Sequence, residues 1–215
     1  MKKLSKDEYA TLRDGATVIE ADAYGDKVLF LADGTYLKLF RVKRLISTAR
    51  FYPYSKRFVK NAARLADKDI PTVTVIGTYK ISSVGRTAVR YYPLTGKSLR
   101  KLGNLDIVIA SKLGNFIREL HDKGIYFRSL HLGNIIITQE NRLGLIDLAD
   151  MKIYKHPLTD KLRLRNFQHC ARYQEDKLLL GPFLNVFLRG YFVTTEKVEL
   201  RQKIEDIFHP IKHTD

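Results

Sequence analysis

The spacing of apolar residues changes once along this chain, and that change limits the fold more than any other feature. Before Pro93 most apolar runs alternate as strands do; after it they recur mainly at helical intervals. Residues 27–42 (KVLFLADGTYLKLFRV) hold two β-rich runs around Ala32-Asp33-Gly34, and Asp-Gly between such runs signals a hairpin. In the second run Tyr36, Lys38 and Phe40 share one face, and Leu37 and Leu39 the other. Residues 54–68 predict a basic helix with Phe58, Ala62 and Leu65 on one stripe, ended by Ile70-Pro71 because the residue before proline avoids the α region. Strands are expected over 73–80 and 86–92, and Pro93-Leu94-Thr95-Gly96 reads as a connector. Residues 105–122 form the clearest helix: Ile109, Leu113, Phe116, Ile117 and Leu120 make a buried stripe, and Gly124 suits its C-terminus. Short strands are expected at 125–127, 135–138 and 143–148, then helices over 159–207 with a break at Gly181-Pro182. Strands gathered in one half and helices in the other indicate an α+β fold.

At 215 residues the chain is one domain or two small lobes, long enough to bury a core without staples. Twelve Tyr and eleven Phe exclude a disordered chain. The single cysteine, Cys170, excludes an intrachain disulfide framework and a multi-Cys zinc site, and reads as a small buried hydrophobe. No apolar run approaches the roughly 20 residues of a membrane-spanning helix, and the MKKLSKDEYATLRDG start lacks the apolar stretch of a secretory signal, so a cytoplasmic protein is expected. The net charge of +15 should draw it to polyanions: nucleic acid, an anionic membrane surface or phosphorylated substrates. The basic residues cluster at Arg41, Lys43, Arg44, Arg50, Lys56, Arg57, Lys60 and Arg64, near the connector at Arg86, Arg90, Lys97, Arg100 and Lys101, and later at Lys161, Arg163, Arg165 and Arg172; Tyr52, Tyr54, Tyr91 and Tyr92 interleave. No recognised nucleic-acid module accompanies them.

Polar residues collect after the long helix: Arg128-Ser129-Leu130-His131-Leu132-Gly133-Asn134, then Ile146-Asp147-Leu148-Ala149-Asp150. Loops at the ends of adjacent short strands would bring Asn134 and Asp147 together. An amide oxygen with a carboxylate suits a hard cation such as Mg²⁺, which also binds phosphate oxygens. Lys38, on a strand of the other half, could neutralise phosphate charge. The plainer alternatives are a lysine guarding an edge strand and an asparagine bracing a turn.

Phe127 to Asn134 fits the H-R-D-L-x-x-x-N loop of protein kinases position by position, with Asn134 five residues after Ser129 and Asp147 a further 13 along. Leu130-His131-Leu132-Gly133-Asn134 also resembles the L-H-x-G-N of aminoglycoside phosphotransferases, and Tyr36-Leu37-Lys38 resembles V-A-I-K. The chain resembles the protein-kinase-like superfamily over residues 20–180. Within it the chain is similar to kinases of lipopolysaccharide-core heptose or Kdo sugars, and to the small bacterial proteins called toluene-tolerance proteins. The resemblance implies a minimal two-lobed kinase-like fold, with an antiparallel-sheet N-lobe over 1–93 and a mainly helical C-lobe over 94–215. It implies ATP and Mg²⁺, with Lys38 on the phosphates, Asn134 and Asp147 on the metal, and a catalytic-like set of His131, Ser129 and Arg128. It departs from the pattern where Ser129 replaces the catalytic aspartate, Phe127 the histidine and Ala149 the D-F-G glycine. Residues 54–66 hold no acid to pair with Lys38, Asn61 being the nearest polar residue, and the glycine-rich loop shrinks to Ala23-Tyr24-Gly25-Asp26. Asn166 stands where kinases carry a loop-bracing aspartate.

The expected function is ATP-dependent phosphorylation of a sugar in lipopolysaccharide core or a related envelope glycolipid, with the basic face holding an anionic glycolipid or phosphorylated sugar at the cytoplasmic face of the inner membrane. His131 would be the base, or transfer would proceed by positioning. The alternatives are a catalytically silent pseudokinase that regulates or scaffolds envelope biogenesis, and a basic nucleic-acid-binding protein.

Overall fold

The computed structural model describes residues 1–41, 53–193 and 197–208. Lys43, Arg44, Arg50 and Tyr52 of the basic cluster lie outside the described residues. The chain divides into two units: Met1–Leu94 with Leu148–Asp150, and Thr95–Asp147 with Met151–Asp215.

In chain order the first unit holds β1 (Lys2–Leu4), α1 (Lys6–Asp14), β2 (Thr17–Asp22), β3 (Gly25–Phe30), β4 (Tyr36–Arg41), α2 (Tyr54–Ala66), β5 (Thr74–Ile81) and β6 (Arg86–Tyr92). They build a six-stranded sheet of order β1-β5-β6-β4-β3-β2, antiparallel except for the parallel β1–β5 pair. The β3–β4 hairpin turns at Asp33-Gly34: Gly34 takes φ +79°, and Asp33 Oδ1 accepts from Thr35 N–H at 3.1 Å and Thr35 Oγ1 at 2.7 Å. Arg90 on β6 donates to Thr35 Oγ1 and pairs with Asp33, so the turn is tied to the sheet. Leu29, Leu31, Leu37, Leu39, Ile81 and Ala88 bury one face of the sheet. Phe58, Ala62 and Leu65 of α2 are buried as their spacing predicts. Helix α1 begins with a full capping box between Ser5 and Glu8.

The second unit holds β7 (Lys97–Ser98), α3 (Leu99–Leu102), α4 (Ile107–Asp122), β8 (Ile125–Phe127), β9 (Ile135–Ile137), β10 (Leu143–Leu145), β11 (Met151–Ile153), α5 (Asp160–Cys170), α6 (Gln174–Leu180), α7 (Leu184–Tyr191) and α8 (Val198–Phe208). Its strands form two small antiparallel sheets, β10-β9-β7 and β11-β8. Helices α4 and α7 cross at two glycines: a Cβ on Gly114 would strike Phe187 O, and one on Gly190 would strike Ser111 O. Backbones this close leave no room for a side chain, and Leu113, Phe116, Ile117, Leu120, Phe187 and Leu188 pack as core in the same two helices. Cys170 is fully buried, and burial pushes its thiol up to about 12, as befits a hydrophobe. Among the described residues no helix is long and apolar enough to cross a membrane. The chain is therefore α+β, with an antiparallel-sheet N-terminal unit and a mainly helical C-terminal unit.

Candidate functional site

The loop 126–134 grows out of β8 and ends at β9. A hydrogen bond from Leu130 N–H to Phe127 O closes its first turn, and one from Asn134 N–H to His131 O, 2.9 Å, closes its last. Asn134 is buried, and its Nδ2 donates to Ser129 O at 3.0 Å and lies 3.0 Å from His131 Nε2. The opposite amide orientation would set Oδ1 against the Ser129 carbonyl oxygen, acceptor on acceptor, so Nδ2 faces both groups. His131 Nε2 therefore accepts, and its ring proton sits on Nδ1, which is buried with no hydrogen-bond partner. Burial first, then the Arg100 guanidinium, holds the His131 pKa below the ordinary histidine value. The ring is neutral at pH 7, with Tyr173 set edge-on at 5.0 Å.

With both amide hydrogens engaged, Asn134 keeps Oδ1, the atom through which an amide ligates a hard cation. Its main-chain carbonyl accepts from Ile146 N–H at 3.1 Å, which brings the start of the 146–150 segment to the same loop. Asp147 follows in the left-handed region (φ +57°, ψ +55°), a conformation that Asp tolerates better than most residues. Asn134, Ser129, His131 and the backbone leading into Asp147 are thus joined within one unit. Two hard oxygen donors fit Mg²⁺. Among the described residues no group of three or more His, Cys, Asp or Glu forms a denser metal site.

Two anchors hold this loop, and the sequence did not announce the first. Asp176 on α6, 2% exposed, accepts from Leu132 N–H at 3.0 Å and receives the Arg100 fork at 2.8 and 2.9 Å. Those bonds hold the guanidinium more firmly protonated. Arg100, expected among the residues available to an anionic partner, is instead committed to Asp176. The other anchor is Asn166 on α5, whose Nδ2 donates to Phe127 O at 2.6 Å. Its Oδ1 lies 3.1 Å from His121 Nε2, and His121 Nδ1 lies 2.8 Å from the Tyr191 hydroxyl. Asn166 thus braces the loop as its position implies. His121 and Tyr191 were not singled out because they lie inside apolar helical stripes, where polar residues carry no local signal.

Arg128 is exposed and Ser129 half-buried; Ser129 engages Asn134 through its backbone carbonyl. In the first unit Lys38 is half-buried on β4, which lies inside the sheet between β3 and β6, paired with Val28 and Val89. It is not an edge lysine. Asn61 on α2 is buried, and its Nδ2 donates to Leu148 O at 2.7 Å. Of Ala23-Tyr24-Gly25-Asp26, the first two make the tight turn between β2 and β3 and the last two open β3: Tyr24 N–H donates to Asp22 Oδ1 at 2.8 Å, Arg86 donates to Tyr24 O, and the Arg41 guanidinium lies 3.5 Å over the Tyr24 ring.

No family model and no curated protein matches the chain. A solved structure described as a divergent kinase lacking the glycine-rich loop, which regulates membrane ultrastructure of the Toxoplasma parasitophorous vacuole, aligns with 84% of this chain and 70% of its own length, at 19% identity and a TM-score of 0.49.

Proposed function

We propose that the protein is an ATP-using, Mg²⁺-dependent phosphotransferase of kinase-like fold, acting on a sugar hydroxyl of lipopolysaccharide core or a related envelope glycolipid. The observation that supports it is the Asn134 amide, held by Ser129 O and His131 Nε2 with Oδ1 left for a cation, in a loop bonded to the segment that carries Asp147. Asn134 and Asp147 would hold Mg²⁺, Lys38 would contact the nucleotide phosphates, and Arg128 would hold a phosphate on the acceptor. Mg-ATP, when bound, supplies the phosphoryl group. Transfer through a loose transition state asks the protein mainly for positioning and charge, so the loss of an aspartate at Ser129 does not preclude it. His131 could serve as base only after its bond to Asn134 breaks. The charge of +15 suits an anionic acceptor at the cytoplasmic face of the inner membrane, where each Lys or Arg near the surface adds about 1 kcal/mol.

The second reading is a nucleotide-binding pseudokinase that scaffolds envelope assembly. Ser129 at the base position and the engaged lone pair of His131 favour it. Calorimetry of ATP binding with and without Mg²⁺ tests the site: wild type binds Mg-ATP, and Asp147→Ala or Lys38→Ala loses at least tenfold in affinity, about 1.4 kcal/mol. An Asp147→Ala protein that binds Mg-ATP as tightly as wild type would overturn the assignment. Binding without turnover on any core-sugar acceptor would select the pseudokinase.

A further inference from the structure

A cation-lined cavity in the helical unit shares no lining residue with the 126–134 loop. It measures about 160 Å³, and among the described residues Arg118 on α4, Arg163 on α5 and Lys197 before α8 line it against one carboxylate, Asp122. Those charges sum to +2. Each nitrogen of Arg163 is engaged: Nε donates to Leu158 O at 2.9 Å, one terminal nitrogen to the Tyr191 hydroxyl at 3.2 Å and the other to Asp122 at 2.6 Å. Arg118 is not. Its approach to Asp122 is 3.8 Å, too long for a hydrogen bond; its one side-chain bond, to Asn115 Oδ1, is a marginal 3.4 Å; and its Nε is buried without any partner. A guanidinium has five donors in a fixed fork that matches a tetrahedral or planar oxyanion, and the terminal nitrogens of Arg118 hold only that long approach and that marginal bond. Lys197 is bonded to Asp160 at 2.6 Å but is 45% exposed, so it can swing toward a new anion.

Size narrows the ligand. The cavity has the volume of about five waters, well below the ~300 Å³ at which sites for drug-sized ligands begin, so it suits a small anionic group and cannot enclose a nucleotide. Phe192 and Leu200 form its apolar wall and strengthen charge-assisted hydrogen bonds by excluding water. The Tyr191 hydroxyl already donates to His121, because His121 Nε2 must donate to Asn166 Oδ1; it therefore serves to hold Arg163 rather than to meet the ligand.

We propose that this cavity is a binding site for a single phosphoryl or sulfate group, free or at the end of a small ester, gripped by the Arg118 fork. The site does not depend on the kinase reading. The test is calorimetric titration of the full chain with inorganic phosphate, sulfate and glycerol 3-phosphate, on wild type, Arg118→Gln, Arg118→Lys and Lys38→Ala. Saturable binding that falls at least tenfold in Arg118→Gln, less in Arg118→Lys, and is unchanged in Lys38→Ala supports the proposal; circular dichroism establishes that the variants remain folded. Tighter binding of the ester than of free phosphate identifies the ester as the source, and the reverse identifies the free ion. No binding at about 10 mM anion, or binding lost in Lys38→Ala but kept in Arg118→Gln, overturns it.

Discussion

Asn134 and His131 show how one histidine can matter without titrating. The ring accepts from the Asn134 amide, and burial with the Arg100 charge keeps it neutral. On the proposed reading its task is to aim the amide oxygen. His131→Leu should weaken Mg-ATP binding about fivefold, the worth of one neutral hydrogen bond of about 1 kcal/mol. His131→Gln should recover part of that, since its carbonyl can accept from Asn134. Because burial and the Arg100 charge hold its pKa below the ordinary value, any loss of wild-type affinity between about pH 8 and 6 should lag behind an ordinary histidine titration. Calorimetry across that range checks all three; a fall that follows a histidine titration would instead mark His131 as a proton acceptor.

At the scale of elements, contact between α4 and α7 depends on the absence of two side chains. Gly190→Ala should lower stability by about 2 kcal/mol, because Ser111 O occupies the space of the new methyl and helix backbones yield poorly. Gly15→Ala, at the end of α1 with nothing within 4 Å and φ −84°, should stay within a few tenths of wild type or gain slightly by restricting the unfolded chain. Urea unfolding of the two variants separates packing from backbone entropy. The same crossing positions His121 and Tyr191, so loosening it should also disturb the brace on the 126–134 loop.

At the scale of the molecule, the high net charge coexists with a buried network that must stay neutral at its centre. His121 is fully buried, and desolvation pulls its pKa down to about 3, with the Arg163 charge acting in the same direction. In the unfolded chain it titrates near 6.5. Between those values the unfolded state holds the proton and the folded state does not. This histidine therefore leaves stability untouched above about pH 6.5 and erodes it as the pH falls toward 3. From pH 6.5 to 5 the loss should be about 2 kcal/mol. Urea unfolding at both pH values should show it, and His121→Gln should show a shallower dependence. Charge on this scale is also partly spoken for: Arg90, Arg100 and Arg163 of the basic clusters pair with Asp33, Asp176 and Asp122.

The residues alone determined whatever depends on near neighbours. The Asp33-Gly34 hairpin, the α2 stripe and the long α4 stripe follow from alternation, helical spacing and turn chemistry. Helix α1, which the apolar spacing does not announce, is legible in the S-x-x-E of Ser5 to Glu8. The predicted strand over 143–148 ends at Leu145, because Asp147 turns into the left-handed region. The loop motif likewise named Asn134, His131 and Ser129 from spacing. Tertiary structure decided which atoms meet: Asp176 under Leu132, Asn166 under Phe127, β11 beside β8, and Arg118 left with an unmatched donor. Those partners lie tens of residues apart, and their meeting is set by how helices pack around a shared core, which no local pattern encodes.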